Sequence, residues 1–184
     1  MQETDLSQAI PTIISGDIAV IPTDTIYGIV AQATNPSAVQ KIYDVKQRNP
    51  SKPFIILISA LDDLKLFGIS PSKAVNNLLD TYWPEPVSII LDCPNPQFEY
   101  LHRGTDALAF RLPQNEAIRQ LIKATGPLVA PSANPEGLPP ATNIKEAKAY
   151  FDRRITCFVE GNVNANPSKI IRITDDGSEE VIRA

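Results

Sequence analysis

Three cationic side chains lie close together in the segment 46–53, which reads KQRNPSKP. Lys46, Arg48 and Lys52 follow an apolar helical pattern and precede an apolar run at 54–58. An ammonium group supplies a compact charge and a guanidinium supplies a planar fork of donors, so together they suit the oxygens of a triphosphate. Alternatively, Lys46 and Arg48 only complement the negative end of the preceding helix. The charge pattern leaves both interpretations open.

A second polar cluster consists of Ser132 and Asn134, just past an apolar run at 128–130. The chain contains no G-x-x-x-x-G-K-[ST] loop and no G-x-G-x-x-G pattern, so phosphate binding would depend on side chains. A hydroxyl and a carboxamide in alternation can bind a phosphate or a sugar hydroxyl. Serine and asparagine before proline and glycine also form ordinary turns, and this alternative stays open.

Two further groups of polar residues stand where apolar runs end. The segment 22–28, PTDTIYG, follows the run at 18–21 and could hold a small polar molecule or form a simple turn. Arg111 ends the run at 107–111 directly before a Leu-Pro pair. An arginine in that position either pairs with a structural carboxylate or binds a substrate carboxylate, and the pattern does not separate the two.

Alternating helical and strand patterns predict one α/β domain over residues 1–184, because no composition break divides the chain. Helical spacing predicts helices at 6–14, 36–48, 61–67, 71–81, 115–124 and 143–151. Apolar runs predict strands at 18–21, 54–58, 87–91, 107–111, 128–130, 155–159, 169–173 and 180–182. The candidate residues for chemistry therefore fall mostly in the loops that follow strands or helices.

Composition excludes several classes of protein. The chain has 184 residues, of which 43% are hydrophobic and 21% charged, and a formal net charge of -4, which argues against a surface built for polyanions. His102 is the sole histidine and no G-x-S-x-G motif accompanies it, which argues against a serine hydrolase. Cys93 and Cys157 form no C-x-x-C pair, so no zinc site or disulfide framework is predicted.

The chain is expected to be cytoplasmic and to have no contact with membranes. Its amino terminus carries no cationic leader region, and its apolar runs fall well short of the ~20 residues that a membrane helix needs.

Taken together, these clusters resemble the YrdC/TsaC family of threonylcarbamoyl-AMP synthases. The matching segments are PTDTIYGI at 22–29, KQRNPSKP at 46–53, WPEPVSIIL at 83–91, LAFRLP at 108–113, PLVAPSANPEGLPPAT at 127–142 and NPSKII at 166–171. The length is similar to that of the short, single-domain form. The resemblance implies an α/β fold in which helices flank a twisted sheet of mixed parallel and antiparallel strands around a central, positively charged cavity.

The resemblance also implies a reaction. L-threonine, bicarbonate and ATP would give threonylcarbamoyl-AMP and pyrophosphate, which makes the chain a nucleotidyltransferase. The product would pass to the tRNA threonylcarbamoyl transferase machinery. ATP would be a substrate, with Mg2+ carried in by the nucleotide, and neither a permanently bound cofactor nor a protein metal site is expected.

The resemblance assigns roles to eight residues of this sequence. The residues expected to bind the nucleotide are Lys46, Arg48, Ser132, Asn134 and Ser168. Lys46 and Arg48 are the two expected to act in catalysis as well. The residues expected to bind threonine are Thr23, Lys52 and Arg111.

The sequence departs from the family pattern at three positions. Glu85 stands where a glycine is usual, and Ser88 replaces a threonine but keeps a hydroxyl. Glu136 stands where the family commonly has a serine. A carboxylate there would repel a triphosphate unless it faces solvent or a magnesium ion, so the details of this loop are open.

Two other functions remain as alternatives. A non-catalytic RNA-binding module would use the basic segment 46–53 with the neighbouring aromatics Tyr43 and Phe54, although the acidic total argues against it. A carbamoyl-transfer accessory domain is the other alternative, because related domains occur inside larger carbamoyltransferases.

Overall fold

The computed structural model of the chain describes residues 5–151, 153–164 and 166–184. A 3-10 turn, Leu6–Ala9, precedes the first α-helix, and a second 3-10 helix spans Leu61–Phe67. The α-helices are α1 (Ile10–Ile14), α2 (Pro36–Lys46), α3 (Lys73–Tyr82), α4 (Glu99–His102), α5 (Glu116–Thr125) and α6 (Ile144–Phe151). The strands are β1 (Ala19–Pro22), β2 (Tyr27–Gln32), β3 (Ile55–Leu57), β4 (Val87–Asp92), β5 (Ala107–Arg111), β6 (Leu128–Val129), β7 (Cys157–Phe158), β8 (Lys169–Ile173) and β9 (Glu179–Arg183).

The strands form one mixed sheet in the order β7-β1-β2-β6-β3-β5-β4-β8-β9. The pairs β1–β7, β3–β5 and β4–β8 are parallel, and the other neighbouring pairs are antiparallel. Helices pack against both faces of the sheet. The predicted fold class, a mixed sheet flanked by helices, is therefore confirmed.

Core residues alternate between the two faces of the sheet. In β1, Val20 packs into one cluster together with Ile42 of α2. Its neighbours Ala19 and Ile21 pack into the other cluster with Ile118 of α5. Successive residues of a strand point to opposite faces, so a strand covered on both sides needs apolar side chains throughout. This arrangement explains the uninterrupted apolar runs in the sequence.

Helix α2 directs the chain into the cationic segment. The Asn35 side chain caps its first turn by accepting a hydrogen bond from Ala38 N at 3.1 Å, and Pro36 follows as the first helical residue. At the other end, Gln47 has a left-handed backbone with φ of 51°, which ends the helix after Lys46. The segment 47–53 then crosses to β3.

Strand β2 and the short helix α4 lie where the sequence patterns predicted no strand or helix. The patterns placed a polar loop over 22–28, but β2 begins at Tyr27 and lies between β1 and β6 with its first five residues buried. The predicted helix 6–14 divides into a 3-10 turn and α1.

Within the part of the chain that the model describes, every helix is too short or too polar to cross a membrane.

Candidate functional site

Five segments that are distant in sequence meet around a cavity of about 330 Å³. They are the turn between β1 and β2, the segment 48–57, the end of β5, the loop after β6, and the strands β8 and β9 with the residues before them. The polar side chains among the lining residues are Thr23, Thr25, Arg48, Arg111, Ser132, Ser168 and Arg183. Among the described residues that line it, three are arginines and none is a carboxylate.

Lys46 ties the segment after α2 to the loop after β6. Its ammonium group donates hydrogen bonds to the backbone oxygens of Ser132 and Asn134, and the Asn134 Oδ1 lies 3.5 Å away. The residue is 1% exposed. Burial lowers the pKa of Lys46 to about 7, repulsion from Arg48 adds to that shift, and Glu136 opposes it. Lys46 is thus a buried link between two loops, and it is not among the lining residues of the cavity.

The Asn134 side chain also holds its own loop in place through hydrogen bonds. Its Nδ2 donates to the carbonyl oxygens of Pro135 at 2.9 Å and Leu138 at 2.6 Å. Lys46 and Asn134 therefore meet each other, as the resemblance implied, and together they support the loop whose Ser132 faces the cavity. Their predicted contact with a nucleotide stays a prediction.

Arg48 does line the cavity. Its Nε donates to the Lys52 carbonyl oxygen at 3.3 Å and its Nη2 to the Pro53 carbonyl oxygen at 3.4 Å. The guanidinium carbon lies 5.3 Å from the centre of the Phe54 ring, within the range of a cation–π contact. These contacts hold the guanidinium beside the chain that leads into β3.

Glu136 faces the cationic segment, which answers the question raised by its departure from the family pattern. Its carboxylate accepts a hydrogen bond from Lys52 Nζ at 2.5 Å and another from the backbone N–H of Asn49. These two hydrogen bonds, first that of Lys52, hold the pKa of Glu136 below its usual value. Lys52 is consequently paired with a protein carboxylate and does not line the cavity. Its predicted role in threonine binding stays a prediction.

Arg111 has the first of the two roles that its sequence position left open, because it pairs with a protein carboxylate, and its binding of a substrate carboxylate stays a prediction. Its Nη2 pairs with Asp24 at 2.9 Å and its Nη1 donates to Thr25 Oγ1 at 2.8 Å. The same guanidinium lines the cavity, and its buried Nε has no hydrogen-bond partner among residues 5–151, 153–164 and 166–184. Burial lowers the pKa of Arg111, and attraction to Asp24 opposes this shift. A guanidinium has five N–H donors, and the bonds to Asp24 and Thr25 use two of them.

Hydroxyl groups complete the wall next to Arg111. Thr23 Oγ1 donates to the Ile26 carbonyl oxygen at 2.7 Å and lies 2.9 Å from Thr25 Oγ1. Ser168 Oγ lies 2.8 Å from the Oγ of Ser88, which is buried. The structure therefore brings Thr23, Ser168 and Arg111 to one cavity, and the hydroxyl of Ser88 supports Ser168.

Sequence reasoning missed two of the polar lining residues, Thr25 and Arg183. Thr25 lies within the quoted segment 22–28 but was not singled out. Arg183 donates from Nε and Nη2 to the Ser168 carbonyl oxygen at 3.1 and 2.7 Å. Its position results from the pairing of β9 with β8, in which Arg183 lies opposite Ile170. No local pattern marks it, because a single arginine at the end of an exposed strand is common.

The described residues contain no group of three or more His, Cys, Asp or Glu side chains that could hold a metal ion.

The fold and the site define an α/β protein with a mixed sheet and a cavity whose described lining includes three arginines. The chain belongs to the Sua5/YciO/YrdC family, because that family's model, described as "Telomere recombination", matches residues 12–184.

Curated relatives carry the name threonylcarbamoyl-AMP synthase. One from Marinobacter nauticus is 33% identical over 172 residues, which cover 91% of this chain and 90% of the relative. One from Bacillus subtilis is 33% identical over 162 residues, which cover 86% of this chain and 46% of the relative. The chain thus matches almost all of one relative and about half the length of the other.

A solved structure supports the same relationship. The structure of Pyrococcus abyssi Sua5 complexed with L-threonine superimposes with a TM-score of 0.84 at 27% identity. The match covers 94% of this chain and 52% of the Pyrococcus abyssi chain.

Proposed function

We propose that this chain is an enzyme, a nucleotidyltransferase that forms threonylcarbamoyl-AMP and pyrophosphate from L-threonine, bicarbonate and ATP. The observation that carries the proposal is the convergence of Arg48, Arg111 and Arg183 with four hydroxyl side chains around one cavity. The names of the curated relatives and the threonine complex of Pyrococcus abyssi Sua5 support this substrate set. The product would serve the tRNA threonylcarbamoyl transferase machinery.

In this reaction the substrates supply the reacting groups. The threonine amine adds to CO2 derived from bicarbonate and loses a proton, which gives a carbamate. A carbamate oxygen then attacks the α-phosphorus of ATP, the bond from that phosphorus to the bridging oxygen breaks, and pyrophosphate leaves. The protein has to align these groups and stabilise negative charge. Alignment can contribute ~7–11 kcal/mol of barrier reduction, and fixed cations contribute more.

The proposed division of the site follows the two sides of the cavity. Arg48, Ser132 and Ser168 would bind the nucleotide, supported from behind by Lys46 and Asn134. Thr23 and Arg111 would bind threonine, because both line the cavity and the bonds of Arg111 to Asp24 and Thr25 use only two of its five N–H donors. Lys52 would join them by exchanging its bond to Glu136 for one to the substrate.

Magnesium would arrive with the nucleotide as part of the substrate. The metal would neutralise phosphate charge, while the arginines of the chain orient the phosphates. Nothing in this proposal requires a cofactor that stays bound between turnovers.

The test is incubation with ATP, bicarbonate and each amino acid in turn, with pyrophosphate measured. We expect release that depends on threonine, and an Arg48→Ala variant should lose about 100-fold in rate, in the range found when one donor to a developing charge is removed. The unfolding transition should stay unchanged. Release that is indifferent to the amino acid would contradict the proposal. Salt-sensitive RNA binding without pyrophosphate release would favour the RNA-binding alternative, and activity with carbamoyl phosphate would favour the accessory-domain alternative.

A further inference from the structure

A line of four side chains leads from the surface to the cavity. The guanidinium carbon of Arg103 lies 4.1 Å from the centre of the Tyr43 ring. The Tyr43 ring stacks on Phe54 with 4.1 Å between centroids and 25° between planes. Arg48 lies over Phe54, as described above. We call Arg103, Tyr43, Phe54 and Arg48 the four-residue stack.

Tyr43 and Arg48 also share a hydrogen-bond acceptor. The Tyr43 hydroxyl donates to the Lys52 carbonyl oxygen at 3.0 Å, and Arg48 Nε donates to the same oxygen at 3.3 Å. Tyr43 belongs to the buried face of α2, whereas Lys52 belongs to the loop that follows it. The shared carbonyl therefore fastens the cationic loop to the rigid helix at the point where Arg48 is held.

The placement of Arg48 depends on these contacts, because no carboxylate of the described residues lies within 4.0 Å of its guanidinium. Its two backbone hydrogen bonds are long, at 3.3 and 3.4 Å. The Phe54 ring is thus a main support, and that ring is positioned by Tyr43. A shift of the aromatic pair would move the guanidinium.

Arg103 completes the stack from a turn outside the cavity. It follows α4 with a left-handed backbone, φ of 54°, and its Nη2 lies 3.4 Å from Gln40 Oε1. A non-glycine residue with positive φ carries strain that the surrounding structure must offset. The planar guanidinium on Tyr43 is a contact that a lysine can imitate only in part.

We propose that Arg103 and Tyr43 are positioning residues for Arg48, and that the four-residue stack sets the orientation of the guanidinium toward the nucleotide. The inference rests on the proposed function for its substrate, ATP, but the contacts of the stack lie within the protein itself. Neither Arg103 nor Tyr43 lines the cavity. Their effect on a reaction would pass through Arg48.

The experiment compares Arg103→Ala, Arg103→Lys and Tyr43→Phe with wild type. The matched control is Lys148→Ala, which removes a cation 5.9 Å from the Phe158 ring and leaves the loop 46–53 untouched. Three quantities are measured: amide hydrogen exchange at residues 48–54 without ligand, the affinity for ATP by calorimetry without threonine, and the KM for ATP and for threonine.

For Arg103→Ala we expect a roughly 3- to 10-fold rise in both the ATP dissociation constant and the KM for ATP, the size of one partly desolvated cation–π contact. The KM for threonine should stay within about twofold of the wild-type value, because the stack acts on Arg48, which lies on the side proposed for the nucleotide. Exchange at 48–54 should accelerate. Arg103→Lys should recover part of the loss, and Tyr43→Phe, which keeps the ring, should lose less than Arg103→Ala.

Equal values for Arg103→Ala and Lys148→Ala would overturn the proposal, as would equal increases in the KM for both substrates. Failure of the proposed function would look different: wild type itself would neither bind ATP nor release pyrophosphate. In that case the exchange measurement still decides, because unchanged exchange at 48–54 in Arg103→Ala would overturn the role of the stack.

Discussion

Two ion pairs beside the cavity each join a cationic side chain to a carboxylate, but one pair is buried and the other is exposed to solvent. Arg111 pairs with Asp24 in the interior, where the two side chains are 5% and 12% exposed. Lys52 pairs with Glu136 at the surface, where they are 55% and 28% exposed. In both cases a cation predicted to bind threonine already has a protein carboxylate as its partner.

The difference in exposure decides what each pair can do. A buried charge that loses its partner keeps its desolvation cost, so Arg111 and Asp24 stay together. A guanidinium has five N–H donors, and Arg111 can therefore bind a ligand without leaving Asp24. Water and salt can replace either partner of an exposed pair, so Lys52 can exchange Glu136 for a substrate at little cost. In the proposed threonine site, the buried pair would provide a fixed binding group and the exposed pair an exchangeable one.

The largest effect is expected from breaking the buried pair. Asp24→Ala leaves the Arg111 guanidinium buried without a counter-charge and should lower the free energy of unfolding by about 3–5 kcal/mol. Urea denaturation followed by circular dichroism measures this. Asp24→Asn, which keeps a hydrogen-bond acceptor, is the control and should cost less. If Asp24→Ala unfolded at the same urea concentration as wild type, the buried pair would contribute no more to stability than the exposed one.

Lys46 adds a third case to the comparison, a buried cation without a close carboxylate. The stability of the protein should depend on pH because of it. The pKa of Lys46 is about 7 in the folded protein, below its value of 10.5 in the unfolded chain. Between these two values the unfolded state binds more protons, so stability should rise with pH in that range. From pH 7 to 9 we expect wild type to gain about 2 kcal/mol relative to Lys46→Met.

Denaturant titrations at both pH values test this expectation for Lys46. The difference between the two pH values is the relevant quantity, because Lys46→Met also loses hydrogen bonds to the Ser132 and Asn134 carbonyls at every pH. Parallel pH profiles for the two proteins would show that the ammonium stays charged through this range.

The smallest effect is expected from opening the surface pair. Glu136→Gln removes the charge that holds Lys52 and should leave the unfolding midpoint nearly unchanged. In this variant Lys52 has no carboxylate partner to leave before it binds threonine. The KM for threonine should therefore fall by about two- to fivefold at low salt. The gain should disappear at high ionic strength, where the pair in wild type is screened. Steady-state kinetics at two salt concentrations test this, and a raised KM would instead make Glu136 a support of the loop.

The sequence patterns predicted much of the scaffold because the signals for it are local. The start of α2 at Pro36 and the apolar strands β4 and β5 follow from spacing and residue type. Strand β2 was missed because the polar residues before Tyr27 and the glycine after it suggest a loop. The segment forms a strand because it pairs with β1 on one edge and with β6 on the other.

For the site, the sequence alone indicated most of the side chains that could bind anions and the loops in which they lie, but it did not mark Arg183. Tertiary structure decided which of them face the cavity. Arg111 and Asp24 are 87 positions apart, and Lys46 and Asn134 are 88 apart. Arg183 reaches Ser168 because of the register between β8 and β9. Side-chain direction and burial depend on such long-range packing, and residue type and local spacing carry no information about it.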